Sequence, residues 1–474
     1  MPYYNFTLQD LLNIEDEAPL DDFFCPSTGL LLWPLVRVAF FREIISDLVY
    51  STAISSVSNG PSAFQKASAL FRAELWNIGL QYAGMRASLL CVTDSVADRF
   101  IDGRRFNRLS DPLLNCYDGN SVCLLEQYDW KWPFPRHKSR VLLHGPSQAR
   151  IAVIGHLRAR IPNVKAATVE LVNAACSAAQ RILGWNLTSN RKLAFEHFVA
   201  RKIGGLPAAL ALYRNMVESI QPSFLLASGA SYGPLMPLIY AAREVGACVV
   251  EFQHGAISRG HDAYNFGDRI FQSKVYRSAL PDYFLSYGRW WESQVNLPVK
   301  MVTVGNPARP EGGGVGRGGR PFIIILSDGI EFNKYAELAH SMIDYAKQRG
   351  LRILIRPHPL ERQRVSSMTF DDEDIIALDD SSTIYDAVSG AEIVISEVST
   401  GLFDAVGLCK KILAWRTAKS IFAYPVLPFS SFSSIDELFE VLESADQSEE
   451  ERLGDELWEK NWESNFKNFI QMVE

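Results

Sequence analysis

The sequence has no Cys-x-x-Cys pair, no excess of positive charge and no unbroken apolar stretch of bilayer length. Its seven cysteines, at positions 25, 91, 116, 123, 176, 248 and 409, are scattered and odd in number. That pattern suits a reducing cytoplasm better than a disulfide framework and offers no zinc site. Lys and Arg total 47 against 54 Asp and Glu, a formal net charge of −7. Such a balance argues against a nucleic-acid binder that relies on a basic surface, while leaving room for a local basic pocket. The apolar run 23–36 stops at Arg37, and the uncharged run 219–242 is broken by Pro222, Gly229, Gly233, Pro234 and Pro237, so neither reads as a membrane span. The opening MPYYNFTLQDLLNIEDEAPLDD lacks the basic and apolar regions of a signal peptide. The expected location is cytoplasmic, with peripheral contact at the cytoplasmic face of the inner membrane.

Several catalytic signatures are missing as well. No Gly-x-Gly-x-x-Gly follows a strand and no Gly-x-x-x-x-Gly-Lys-Ser/Thr occurs, which removes the dinucleotide and P-loop readings. Ser228 and Ser231 in ASGASYG do not form a Gly-x-Ser-x-Gly nucleophile elbow. His254 and His261 stand seven apart on a loop-like stretch, where two unrelated histidines are a better reading than a metal pair. No metal is expected.

What is present is an ordinary globular composition, 47% hydrophobic and 21% charged, in a chain long enough for two domains. The boundary falls at EGGGVGRGGR, 311–320, where six glycines in ten residues make a flexible linker. After it, PFIIILSDG, LRILIRPHP, EIVISE and KKILAW read as strands, alternating with helical patterns at 333–350, STIYDAVSGA and STGLFDAVGLC. Before it, 86–94, 140–145, 222–231, 247–255 and 282–288 are strand candidates, with a helix in PLMPLIYAAREVG. The first hundred residues and 165–220 read as mostly helical, and the charged tail likewise. Alternation of this kind predicts α/β structure with two doubly wound, Rossmann-like domains. The expected division is 1–310 for the first domain with its helical additions, 311–320 for the linker and 321–474 for the second domain with its tail. The glycines are expected to let the halves close on a ligand.

In parallel sheets of this type, the residues just past the carboxyl ends of the strands face the ligand crevice. Three strand ends of the second half are polar: Ser327-Asp328-Gly329, Arg356-Pro357-His358-Pro359 and Ser396-Glu397-Val398-Ser399-Thr400. Arg356 and His358 suit a phosphate, Ser399 and Thr400 begin a helix, and Glu397 or Asp404 suits sugar hydroxyls. Each alone also fits a plain turn or cap. Their placement at successive strand ends points to a phosphorylated, nucleotide-linked ligand. In the first half, VVEFQHGAIS puts Glu251, Gln253 and His254 past another strand end, and Asp94 opens a second cluster, VTDSVADRFIDGRRFNRLSDP. The basic residues of that cluster, Arg99 and Arg105 among them, suit an anionic or lipid-pyrophosphate glycan, although a solvated loop is the plainer reading.

Ser327-Asp328-Gly329, His358-Pro359 and Ser399-Thr400 together resemble the acidic-Gly, His-Pro and Ser/Thr motifs of bacterial sialyltransferases and related CMP-sugar transferases. EFQHGAISRGHDAYNF, PDYFLSYGRWW and GNPARP look like capsule and lipopolysaccharide transferases, including Kdo transferases. The resemblance covers 222–416 and implies a GT-B glycosyltransferase that uses a CMP-sugar as donor substrate and no further cofactor. It implies that His358 contacts the donor phosphate, that Ser399 and Thr400 meet the phosphate or ribose, and that Asp328 and Gly329 lie on the base or leaving-group side. Ser327 stands where the family pattern has a second acidic residue. Sugar transfer also needs a carboxylate as base or nucleophile. Glu251 is expected in that role with His254 beside it and Asp94 as a competing candidate, and Gln253, Arg99 and Arg105 are expected on the acceptor side.

The expected partners are a nucleotide-sugar donor, a glycan or lipid-linked glycan acceptor and other polysaccharide-assembly enzymes, with no nucleic acid. Rival readings are a teichoic-type glycerophosphotransferase, a nucleotide-sugar epimerase and a non-catalytic glycan-assembly subunit.

Overall fold

The structure, a computed structural model, describes residues 6–50, 62–82, 84–127, 130–310, 319–359, 361–370, 372–444 and 450–474. Most of the expected linker, 311–318, lies outside the described residues.

The strand β1 (Leu89–Asp94) is apolar on both faces until its last two residues, as befits a strand covered by helices on both sides. Next in the chain come the antiparallel hairpin β2 (Asp98–Ile101) and β3 (Arg104–Asn107), then β4 (Ser121–Glu126) and β5 (Val141–Leu143). They are followed by β6 (Phe224–Ala227), β7 (Cys248–Phe252), β8 (Tyr283–Ser286) and β9 (Lys300–Thr303). Seven of these build one parallel sheet in the order β5-β4-β1-β6-β7-β8-β9. The second sheet has β10 (Phe322–Leu326), β11 (Arg352–Arg356), β12 (Ile376–Leu378), β13 (Ile393–Ser396), β14 (Ile412–Trp415) and β15 (Ser430–Phe432). Its order is β12-β11-β10-β13-β14-β15, again parallel.

Both sheets are therefore doubly wound. Each starts in the middle, grows to one side, then returns and grows to the other. Two such units in one chain give the α/β, GT-B architecture expected from the sequence. The nine strand readings made above all fall on observed strands, whereas β4, β9, β12, β15 and the hairpin were not read. The helix read at 333–350 divides at Met342 into Phe332–Ser341 and Ile343–Arg349. The one read in STGLFDAVGLC is a single turn, Gly401–Asp404.

Two long helices wall the first sheet at its upper edge. Gly145–Arg158 crosses Ser189–Ile220 where Gly155 faces Gly204 and Gly205, and a Cβ on Gly155 would sit 2.4 Å from the Arg201 carbonyl oxygen. Only glycine allows that approach.

The two units share a core. One buried apolar cluster runs from Leu8 and Trp33 through Trp291 to Phe403 and Trp458. Phe403 of the second unit packs on Trp290 and Trp291 of the first, with ring centroids 5.3 and 4.8 Å away. Arg309 donates to the carbonyls of Asp404 (3.1 Å) and Val406 (2.5 Å) and lies over Trp458. The last helix, Trp462–Val473, returns to the first unit, where Phe466 and Phe469 are buried with Leu89, Cys123 and Leu285. Among the described residues, no helix is long and apolar enough to cross a membrane.

Candidate functional site

A doubly wound sheet opens a crevice where neighbouring strands lead off in opposite directions. In the first sheet that place lies between β1 and β6, and in the second between β10 and β13. The strand ends there are Asp94 and Ser228-Gly229 in one unit, Ser327-Asp328-Gly329 and Glu397 in the other. Sequence reading had singled out most of them.

Above the first crevice is a cavity of about 850 Å³. Asp94 and Glu126 line it, in register with each other at the carboxyl ends of β1 and β4. Asp94 accepts from the Val96 backbone at 2.8 Å, and Glu126 accepts from Gln148 at 2.9 Å. Lys202, Arg201 and Phe198 contribute from the long helix, and His254 closes the inner end.

His254 also lines a second, much smaller cavity of about 30 Å³ at the seam between the units, together with Arg108, Tyr287, Thr400 and Asp404. Thr400 comes from the second unit, and its methyl group approaches Gly255. Burial lowers the His254 pKa, and Asp94 works in the opposite direction. Burial raises the Asp404 carboxyl despite Arg108, Arg309 and Arg99 nearby.

Glu251 is elsewhere. It is 0% exposed and lines neither of these cavities. One carboxylate oxygen accepts from the Ser231 backbone (2.9 Å) and hydroxyl (2.5 Å), and the other accepts from the Tyr264 hydroxyl (2.9 Å). Burial pushes its pKa up to about 7 against these three hydrogen bonds. The expectation that Glu251 faces the cleft is corrected: both its oxygens are committed inside the fold, so it does not reach a substrate.

Its influence passes through Tyr264, whose hydroxyl also lies 3.4 Å from His254 Nδ1. A tyrosine hydroxyl has one hydrogen to give. While Glu251 is ionised that hydrogen is donated to it, so His254 Nδ1 carries a proton and donates to the tyrosine oxygen. Nε2 is then left with a lone pair, the state of a base.

Gln253 is likewise occupied. Its amide nitrogen donates to the Gly255 carbonyl and its oxygen accepts from the Tyr287 backbone, both at 2.8 Å. It shapes the turn and does not sit on the acceptor side. Burial and Arg108 lower the Arg99 pKa, against the smaller opposing effect of Tyr385, Asp386 and Asp404 of the second unit. Arg105 remains on the hairpin, 4.0 Å from Asp98 and over the Phe100 ring.

In the second unit the expected residues are brought together, but several are tied to one another. Ser327 donates to Glu361 and accepts from the His358 backbone at 2.9 Å. Gly329 has φ +87°, and a Cβ there would stand 2.7 Å from His358 Nδ1. The Asp-Gly turn and the His358-Pro359 turn are thus packed on each other, and burial lowers the His358 pKa. Arg356 pairs with Asp379 and donates to the Ser381 carbonyl at 3.1 Å. Ser399 Oγ accepts from the Gly401 backbone at 3.1 Å, while Thr400 is exposed.

Sequence reading missed Lys419. It pairs with Asp328 and, at 2.6 Å, with Glu397, which also accepts from Tyr335 at 3.0 Å. Burial works against the lysine's charge, yet Glu397 and Asp328 hold its pKa above the usual value. Lys419 in turn draws the Asp328 carboxyl down, overcoming the burial that would raise it. Glu397 is therefore engaged within the unit.

No model of a known protein family matches the chain, and no curated protein is similar to it in sequence. Solved structures similar to it include the UDP-GlcNAc 2-epimerase from Methanocaldococcus jannaschii, with 9% identity and a TM-score of 0.43 over 81% of this chain and 99% of that one. Another is the calicheamicin glycosyltransferase CalG4, with 11% identity and a TM-score of 0.43 over 82% and 98%. A third is the lipopolysaccharide outer core galactosyltransferase WaaB in its apo form, with 10% identity and a TM-score of 0.39 over 81% and 99%.

Proposed function

We propose that the chain is a nucleotide-sugar-dependent glycosyltransferase whose acceptor enters the 850 Å³ cavity of the first unit and whose donor nucleotide binds at the second crevice. One observation carries this reading: His254 lines both the acceptor cavity and the seam reached by Thr400 and Asp404. A group in that position can take the proton of an acceptor hydroxyl as it attacks the anomeric carbon. Asp94 then supports the positive charge on the imidazole. The nucleotide leaves as an anion, and the guanidinium groups of Arg108 and Arg99 offset its charge at the seam. Asp328, Gly329, His358, Ser399 and Thr400 supply the donor side.

The motif resemblance supports a finer reading, a CMP-activated ulosonic acid of the Kdo or sialic acid type moved to a surface-polysaccharide acceptor. A thermal-shift panel of CMP, CDP, UMP, UDP and GDP tests the donor, since a ligand bound only by the folded state raises its stability. CMP is expected to stabilise the protein, and His358→Ala to abolish that shift without unfolding it. A clear preference for UDP overturns the cytidine assignment. Turnover of a UDP-sugar without any acceptor replaces transfer by epimerisation.

A further inference from the structure

Large apolar side chains stand exposed on two neighbouring helices of the first unit. On Ala63–Tyr82, Phe64 is 83%, Phe71 67% and Leu75 55% exposed. Their spacing of seven and four residues puts them on one stripe, opposite the face that buries Ala73 and bonds Trp76 and Asn77 to the sheet. On Gly145–Arg158, Val153 is 61% and Leu157 66% exposed, on the side away from the glycine crossing. The helices lie side by side, joined by the Glu74–Arg150 pair and by Leu70 against Gly145.

Scattered exposed apolar residues are normal, whereas a run of large ones on adjoining helices marks an interaction surface. The charge around this one indicates its partner. From 145 to 165 the sequence holds exposed Arg160 and Lys165, half-buried Arg158, Arg150 paired with Glu74, and no acidic residue, in a chain with a net charge of −7. Lys66 and Arg72 are exposed on the first helix. Apolar side chains fringed by local positive charge suit an anionic bilayer, which accepts the former among its acyl chains and attracts the latter.

We propose that this face, carried by Phe64, Phe71, Leu75, Val153 and Leu157, docks on an anionic membrane surface. Ile151, Ala152 and His156 of the second helix line the 850 Å³ cavity, so the docked helix is also a wall of that cavity. The proposal stands on the exposed face and its charge, independently of the sugar-transfer reading.

The test is flotation of the full chain with vesicles of phosphatidylcholine alone or mixed with phosphatidylglycerol. Wild type is expected to float with the anionic vesicles and to bind at least about tenfold less at high salt, where the charge attraction is screened. Phe71→Glu with Leu157→Glu is expected to lower binding about tenfold or more at unchanged melting temperature, because both positions are largely exposed. Phe71→Ser with Leu157→Ser serves if the charged pair unfolds. Wild type that stays off anionic vesicles overturns the proposal, as does a folded double variant that floats like wild type. A wild-type dimer that the same substitutions make monomeric, without vesicle binding, assigns the face to a second copy of the chain instead.

Discussion

Glu251 reaches His254 through a single hydroxyl, that of Tyr264, at 2.9 Å on one side and 3.4 Å on the other. The ionised form of this enclosed carboxyl favours donation of the tyrosine hydrogen away from His254, and with it a proton on His254 Nδ1.

Activity is expected to rise through about pH 7, the Glu251 value, as the ionised carboxylate claims the tyrosine hydrogen. Tyr264→Phe should remove that step from the pH–rate profile and leave only the limb of His254 itself, which burial places below the usual histidine range. An unchanged profile in the variant separates Glu251 from the reaction.

Glu251 also makes stability depend on pH. Its folded pKa of about 7 exceeds the ordinary 4.5, so the folded state favours the protonated form. The associated stability is present below about pH 4.5 and lost as pH rises to 7. It amounts to about 3 kcal/mol for a shift of this size. Glu251→Gln should flatten that slope, and melting temperatures across pH 4.5–7.5 for the two proteins check it.

Rates should rank the cleft groups. His254→Ala and Asp94→Asn are expected to lose on the order of 10² to 10⁴ in kcat, as removal of a general base or its partner does. Glu251→Gln should lose less, acting only through Tyr264. Should Glu251→Gln be dead while Asp94→Asn is active, the carboxylate roles are reversed.

Lys419→Met should leave Asp328 and Glu397 buried without their cation. Loss of one partner from a buried ion pair typically costs about 3–5 kcal/mol. Denaturant unfolding is expected to show a loss of that size.

Nucleotide binding should change the solution scattering profile little. The six glycines at 311–320 suggested a hinge, but the shared core and the Arg309 clamp hold the units together. Compaction on adding CMP contradicts this reading.

The polar strand ends were legible because they are local. A run such as Phe-Ile-Ile-Ile-Leu followed by Ser-Asp-Gly announces both a buried strand and its exit, and the crevice follows from parallel topology. Glu126 was not read because Ser-Val-Cys-Leu-Leu-Glu has no polar exit motif beyond the glutamate itself and stands between Gly119-Asn120 and an aromatic-rich stretch. Lys419 carries no motif, and Tyr264, although it lies within EFQHGAISRGHDAYNF, has no role that the motif assigns. What gives them meaning is contact with residues 91 and 13 positions away, a relation set by tertiary packing. The same packing reassigned Glu251: Gln253 and His254 do lie past the strand end, but Glu251 is inside the strand, paired with Ala227 and Phe284 and enclosed by Ser231 and Tyr264.

The return of helix Trp462–Val473 to the first sheet bears on how the protein can be divided. The second sheet is, in effect, an insertion with both of its ends anchored in the first unit. A fragment cut at residue 310 would lack Phe466 and Phe469 and expose the apolar surface they cover. A first half that keeps its own sheet covered has to be built as 1–310 joined to 450–474, and it still exposes the surface of Trp290 and Trp291 that Phe403 covers.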